Sequence, residues 1–473
     1  MATTLQNSQE VEPGQSSSEW VVEERNGYRY PPGLKLNLPF YLVRRFFKPG
    51  NPIRLFEHLV TTYGRVSHYR IGRSHIVFIN DPTLIWEILI NQPQNFIKER
   101  TQRRMKILLG AGLITSEGEI HRRQRRIAAP AFHRQRIQSY GEVMVERAAA
   151  MRGEWRPDRE IDVAAEMMRL TLQVVARTFF NTDVTQDVQT INDEVNVIMD
   201  LYNFLIALPA AEAYLHWPIP GLVRFRKARQ RLDAVVHRMI AEHRADGVDR
   251  GDLLSMLIAS RDDEGDHSQM SDEQLRDEVL TIFLAGYETV SNALTWTWFL
   301  LGQNPVAEAQ MHAEIDMVLG GKLPTLDDLP RLKYTEMIFA ESMRLYPPAW
   351  AMGRQAMVDI EIGPYKLPAG SYLFFSQYIM QRSAEQFPNP LRFDPERFAP
   401  EAKAKRPKFA YFPFGGGSRQ CIGEAFAWME GILLLATIAQ RWRLRLVPGQ
   451  QIGLAPKITL RPDGPIRMVP EER

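Results

Sequence analysis

Cys421 is the single cysteine among 473 residues, and its surroundings are unusual for an inert thiol. It ends the run Phe414-Gly415-Gly416-Gly417-Ser418-Arg419-Gln420-Cys421-Ile422-Gly423, and an apolar stretch of helical spacing follows from Ile422 to about Trp442. A sulfur placed where a loop enters a helix meets unpaired N–H groups and the positive end of the helix, both of which favour thiolate. Arg419, two residues upstream, adds positive charge. The glycine run and Gly423 leave the backbone bare, so a broad flat object can lie against the chain at the sulfur. Such a thiolate is a candidate axial metal ligand. The same residues also describe a flexible loop around core-filling sulfur, and alone they leave both readings open. A phosphate cradle is a poorer description, because no Gly-Lys-Ser/Thr follows.

Two further groupings carry chemistry. Ala285-Gly286-Tyr287-Glu288-Thr289 lies near the middle of the longest helical pattern, Ser271 to Leu301. A mid-helix glycine costs about 1 kcal/mol relative to alanine, and Ala285-Gly286 clears volume for something bulky. Thr289 can bond the Ala285 carbonyl four residues back and open the local ladder. With the Glu288 carboxylate it could hold water and relay protons. The plainer description is a small-residue helix crossing with a solvated Glu and a back-bonded Thr. His121 and Arg125 share a helix face in a run with four arginines in five positions, which reads as a donor pair for a ligand's carboxylates, a solvated basic face or a nucleic-acid patch. The near-zero net charge and the lack of a nucleic-acid motif count against the last.

Taken together these motifs resemble the cytochrome P-450 family of heme-thiolate monooxygenases. Phe414, Gly417, Arg419, Cys421 and Gly423 match the spacing of its cysteine loop. Ala-Gly-x-Glu-Thr is similar to its oxygen-activation motif, with Val290 where many members carry a second threonine. Glu341-Ser342-Met343-Arg344 and the later Arg397 resemble its buried charge cluster. The motifs fall in family order between about residues 30 and 470. The resemblance implies heme b (iron protoporphyrin IX), with Cys421 as iron ligand and Phe414 shielding the sulfur. It also implies heme contacts from Gly415, Ile422, Gly423, Ala285 and Gly286. Arg419, Arg125, Arg354 and His121 would meet the propionates, His121 standing where the family usually has Trp. Thr289 and Glu288 would be the catalytic pair. The activity implied is insertion of one atom of O2 into a C–H or double bond of an apolar molecule such as a fatty acid, terpenoid or aromatic. Electrons would come from a separate ferredoxin or flavodoxin with its NAD(P)H reductase. A basic face of Arg122, Arg123 and Arg126, with Lys403, Lys405, Arg406 and Lys408, would dock that donor. A peroxide-driven peroxygenase or hydroperoxide isomerase is the alternative, against which Glu288-Thr289 counts. A heme-thiolate sensor would need no proton relay.

The elements that must position these residues follow from pattern. The chain is 45% hydrophobic with net charge +2 and can bury a large core. One cysteine excludes an internal disulfide and Cys-built zinc or iron–sulfur sites. There is no signal peptide and no membrane-length apolar run, so a cytoplasmic, monomeric protein is expected. Residues 1–28 read as a disordered polar tail and 29–473 as one domain. A basic amphipathic stretch spans Leu38 to Phe47. Val66–Arg73 and His75–Ile79 read as a hairpin, Asp81 as an N-cap, and Ile120 to Gly302 as mostly helical. Pro209 and Trp217–Gly221 break that stretch with a loop suited to a lid. Short strands are expected between Asp359 and Phe375, and a hairpin from Ile458 to Val469 turning at Asp463-Gly464. The fold class is thus mainly α with small β-sheets, a helix-rich lobe and a smaller β-rich lobe. In the family's version the heme lies between the long central helix and the cysteine loop. Phe204, Leu205, Ala285, Val290, Ala349, Trp350 and the segment Ile107 to Ile114 are pocket candidates.

Overall fold

The computed structural model describes residues 22–37, 52–132, 134–183, 188–207, 215–260 and 269–473. The basic stretch at 38–47, Pro209 and the side chains of Phe204 and Leu205 lie outside them. Five helices line the site, α1 (Gly118–Ala128), α3 (Val163–Phe180), α4 (Asp272–Gln303), α5 (Lys333–Leu345) and α6 (Glu424–Ala439), and α2 (Arg134–Glu154) packs against α6. α4 runs through the middle of the core. Phe283, Tyr287, Trp296 and Trp298 are fully buried along it. It starts where expected, with Ser271 accepting from the Gln274 N–H at 3.2 Å. α6 is shorter than its apolar run, because Trp442 has already passed into a strand (Trp442–Leu446).

The strands come from both ends of the chain. β1 (Glu23–Arg25), β2 (Tyr28–Tyr30), β3 (Gly33–Asn37), β4 (Val66–Ile71), β5 (Ser74–Ile79) and β6 (Phe96–Lys98) precede the helices. β7 (Met352–Ala356), β8 (Ile360–Ile362), β9 (Tyr365–Leu367) and β10 (Tyr372–Phe375) lie between α5 and α6. The larger sheet has the order β3-β4-β5-β10-β7-β6, with β10 parallel to β5 in the register Leu373 to Val77. The smaller has the order β1-β2-β9-β8. The β4–β5 hairpin and the Asp81 cap follow the sequence pattern, Asp81 accepting from the N–H groups of Thr83 at 2.9 Å and Leu84 at 3.0 Å. Among the described residues no helix is long and apolar enough to cross a membrane.

Two expectations need correction. The stretch read as a tail up to residue 28 contains β1, which pairs with β2 across an Asn26-Gly27 turn with φ of 51° and 77°. Positive φ at both central residues matches the right-handed twist of a two-residue hairpin, and the Tyr28 hydroxyl donates to Asp359 at 3.0 Å. The expected hairpin over 458–469 does not form. Leu460–Pro462 pairs backward with Leu454–Pro456, while Arg467–Glu472 pairs with Trp442–Leu446. Asp463 accepts from the Gly453 N–H at 2.8 Å, which fastens the turn to the earlier strand.

Candidate active site

The cysteine loop is held by its own backbone. The Cys421 N–H donates to the Phe414 carbonyl and the Gly415 N–H to that of Phe412, both at 3.0 Å. Gly417 has φ of 69°, and a Cβ there would collide with the Leu89 carbonyl. That carbonyl belongs to a π-helical turn, Glu87–Asn91, so the turn and the glycine shape each other. A Cβ on Gly423 would meet only Phe132 at 3.6 Å and the sulfur of Cys421 at 4.0 Å, which leaves the space beside the sulfur open.

Beneath the loop lies the charge cluster. Glu341 and Arg344 on α5 are fully buried and paired twice, at 2.6 and 2.7 Å. Arg397 lies 3.5 Å from the same carboxylate, and the Asp394 N–H donates to it at 2.9 Å. Arg344 also donates to the carbonyls of Gln381 at 2.7 Å and Pro390 at 2.8 Å. Gln381 in turn accepts from the Phe412 N–H at 3.1 Å, two residues before Phe414. The cluster therefore reaches the cysteine loop through one glutamine.

A cavity of about 340 Å³ separates the loop from α4. Cys421, Phe414, Gly415, Ile422 and Gly423 form one wall; Ala285, Gly286, Thr289 and Val290 form the other. Thr289 Oγ1 donates to the Ala285 carbonyl at 2.8 Å, as the spacing predicts. Ala349 and Ile114 also line the cavity, whereas Trp350 packs on Phe56 away from it. Gly286 has a second reason to be glycine: a Cβ there would meet Val175 on α3 at 3.1 Å, so it also permits close helix packing.

Basic groups crowd one side of this cavity. His121, Arg125, Arg354 and Arg419 all line it, and so does Lys98 at the end of β6, which the motif reading missed. Lys98 is buried and donates to the carbonyls of Ser116 at 2.7 Å and Leu113 at 3.3 Å. Burial, with Arg419 nearby, pushes its ammonium down to about 7. Burial and Arg419 likewise bring Arg354 down to about 10 and His121 down to about 3, so His121 is a neutral donor. Arg125 donates to the Gln420 carbonyl at 2.8 Å, and Arg419 pairs with Glu117. Four basic side chains and a histidine line one hollow, and among the described residues no carboxylate lines it with them, Glu117 and Glu99 lying just outside. No local pattern marked Lys98, since it lies far in sequence from the arginines it joins.

Two site expectations fail in detail. Glu288 does not line the cavity. It is buried on another face of α4, accepts from Thr459 and from Arg461 Nε at 3.0 Å, and ion-pairs with Arg461 Nη2 at 2.8 Å. One residue along a helix turns a side chain by about 100°, and the step from Thr289 back to Glu288 leads away from the cavity toward Thr459 and Arg461. The thiolate argument also fails unaided. α6 begins only at Glu424, Arg419 is engaged by Glu117, and burial pushes the Cys421 thiol up to about 11 against the N–H of Gly423.

The residues fit a flat dianionic metal ligand: a sulfur facing open space, bare glycines beside it, and a rim lined by basic side chains. The wider chain agrees. A sequence model described as Cytochrome P450 matches residues 31–468. The chain is 42% identical over 446 residues to cyclooctatin synthase of Streptomyces melanosporofaciens, covering 94% of this chain and 95% of that one. It is 39% identical to cyclooctat-9-en-7-ol 5-monooxygenase of the same organism, over 87% and 89% of the two chains. It is 35% identical to pentalenene oxygenase of Streptomyces avermitilis, over 84% and 88%. Among solved structures, the retinoic-acid-bound cyanobacterial CYP120A1 superposes with a TM-score of 0.82 at 26% identity, over 94% of this chain and 99% of that one.

Proposed function

The chain belongs to the cytochrome P450 family, an oxygen-incorporating oxidoreductase, and on that premise we propose that it oxygenates an apolar, ring-built terpenoid, one oxygen atom at a time. Its family implies a heme, an organic substrate and a redox partner. The finer reading is heme b, a ferredoxin or flavodoxin donor with its NAD(P)H reductase, and a monomer working in the cytoplasm. The observation that carries the proposal is the cavity itself, with the Cys421 sulfur on one wall and the Thr289 hydroxyl on the other.

Cys421 would hold the iron, and Lys98, His121, Arg125, Arg354 and Arg419 would hold the propionates. The heme, when bound, would supply dioxygen binding and its two-electron activation. The remaining tasks belong to the chain. Thr289 keeps a hydroxyl at the cavity wall, with its proton directed to the Ala285 carbonyl and its lone pairs free to accept from water. It can pass a proton inward from Oγ1 and be resupplied by solvent. Glu288, tied to Arg461, fastens α4 to the C-terminal strands and touches nothing in the cavity. Ala285, Val290, Ile114 and Ala349 offer apolar contact to the substrate and exclude bulk water.

The three relatives are named for cyclooctatin, cyclooctat-9-en-7-ol and pentalenene, and the solved structure for retinoic acid; an apolar hydrocarbon frame is the feature this chain's cavity shares with those names. The test is turnover of such ring compounds by the heme-loaded protein with ferredoxin, its reductase and NAD(P)H under labelled O2. One labelled oxygen atom in the product supports the reading. Product formed only when peroxide is supplied, or oxygen drawn from water, contradicts it.

A further inference from the structure

Helix α4 carries four threonines, and three of them behave alike. Thr289, Thr295 and Thr297 each donate to the carbonyl four residues back, at 2.8, 2.7 and 2.7 Å. Thr281 does not. It is 2% exposed and lines the cavity, and its Oγ1 has no hydrogen-bond partner among the described residues. A buried hydroxyl left unpaired costs about 1–3 kcal/mol, and the back-bond its neighbours use is the ordinary remedy.

The surroundings keep that hydroxyl bare. Gly112 packs directly on it, and a Cβ there would collide with Oγ1. Leu113, Ile114 and Ile282 line this corner with apolar side chains, and the Lys98 ammonium that reaches it is taken up by the carbonyls of Leu113 and Ser116. Thr281 stands eight residues before Thr289, roughly 12 Å along the helix axis, and both line the cavity. It thus faces the cavity well away from the atoms where oxygen is activated.

We propose that Thr281 hydrogen-bonds a hydroxyl group on the substrate, so that this enzyme acts on a ring molecule that already carries one oxygen and places the new one at a distance from it. This rests on the monooxygenase reading above and adds the substrate's polar handle. A neutral hydroxyl fits better than a carboxylate. Glu278, three residues earlier on α4, is fully buried and is not among the residues lining the cavity, so no cationic or anionic side chain of α4 faces the ligand beside Thr281. The cations that would attract a carboxylate form the rim assigned to the propionates. It follows that a hydroxyl-forming reaction comes before this one in the sequence of conversions.

The experiment is a spectral titration of the purified heme-loaded protein with cyclooctat-9-en-7-ol and with the parent hydrocarbon lacking its hydroxyl, reading the spin-state change. The alcohol should bind roughly threefold to tenfold more tightly, the range of one neutral hydrogen bond. Thr281→Val should erase that preference and Thr281→Ser should keep it, with the reduced-CO spectrum unchanged in both. Gln102 also lines the cavity with an unpartnered Oε1, so Gln102→Met is the control and should leave the preference intact. Equal binding of the two ligands by the unaltered protein overturns the inference while leaving the monooxygenase reading standing. So does a preference that survives Thr281→Val or disappears in Gln102→Met. A heme-loaded protein whose spectrum neither ligand perturbs overturns the inference together with the ring-terpenoid reading it rests on.

Discussion

Thr289 and Lys98 show what single residues contribute. The Thr289 hydroxyl is held at 2.8 Å from the Ala285 carbonyl and faces the Cys421 wall, so its loss should leave heme binding alone and damage proton delivery. Thr289→Ala should divert reducing equivalents to peroxide, and product formed per NAD(P)H should fall severalfold; undiminished coupling would remove Thr289 from the relay. Lys98 gives a pH dependence. Its ammonium, ordinarily near 10.5, is pushed down to about 7 in the cofactor-free fold. Above that pH it is neutral, so a propionate settling beside it must draw in a proton. Hemin affinity of the apoprotein should therefore weaken as pH rises from 7 toward 9, by roughly tenfold per unit for one linked proton. Lys98→Met should flatten that slope, and a slope unchanged in the variant would separate Lys98 from the propionates. Residues related by short spacing were legible in the sequence: the Thr289 back-bond, the Asp81 cap and the Glu341–Arg344 pair are all fixed by helix geometry. Lys98, Thr281 and the true partner of Glu288 were not, since each is defined by a segment far away in the chain.

At the scale of elements, the cysteine loop is a product of its supports. Glu341 binds Arg344, approaches Arg397 and accepts the Asp394 N–H, and Gln381 passes that order to Phe412. Removing the carboxylate leaves Arg344 buried without its charge partner, at a cost of about 3–5 kcal/mol. Glu341→Ala should yield protein with little bound heme and a lowered melting temperature, measured by the heme-to-protein absorbance ratio and thermal unfolding. Normal loading would show that the loop stands without the cluster. Strand pairing was the least legible level. Short alternating segments announced strands around 359–375 correctly, but the Asp463-Gly464 turn announced a hairpin whose two strands join different partners. Alternation gives a strand its faces and says nothing of which neighbour it will meet.

For the whole molecule, the fold class was readable because four motifs recur in one order, and the sheets then bind the two ends of the chain together through β5 and β10 and through β2 and β9. The surface opposite the cavity bears on the electron donor. A second hollow, bordered by Arg125, Gln420, Cys421, Glu424 and Trp428, opens on the other side of the sulfur. Arg122 and Arg126 are exposed on α1, the helix that supplies Arg125. Arg406 leaves the expected docking set, because it is half-buried with its guanidinium over the rings of Phe398 at 4.4 Å and Phe387 at 5.1 Å. Arg122→Glu combined with Arg126→Glu should slow reduction by an acidic ferredoxin at low salt and weaken the salt dependence of that rate. A rate and salt slope equal to those of the unaltered protein would move the docking site elsewhere.

The central claim is a bond between Cys421 and heme iron, and the most direct measurement is the absorbance spectrum of the reduced, CO-treated protein. The unaltered chain should show the red-shifted Soret band of a thiolate-ligated heme, and Cys421→Ser should lose it. A Soret band of that position persisting in the serine variant, or a chain that takes up no heme when expressed with hemin, would contradict the account.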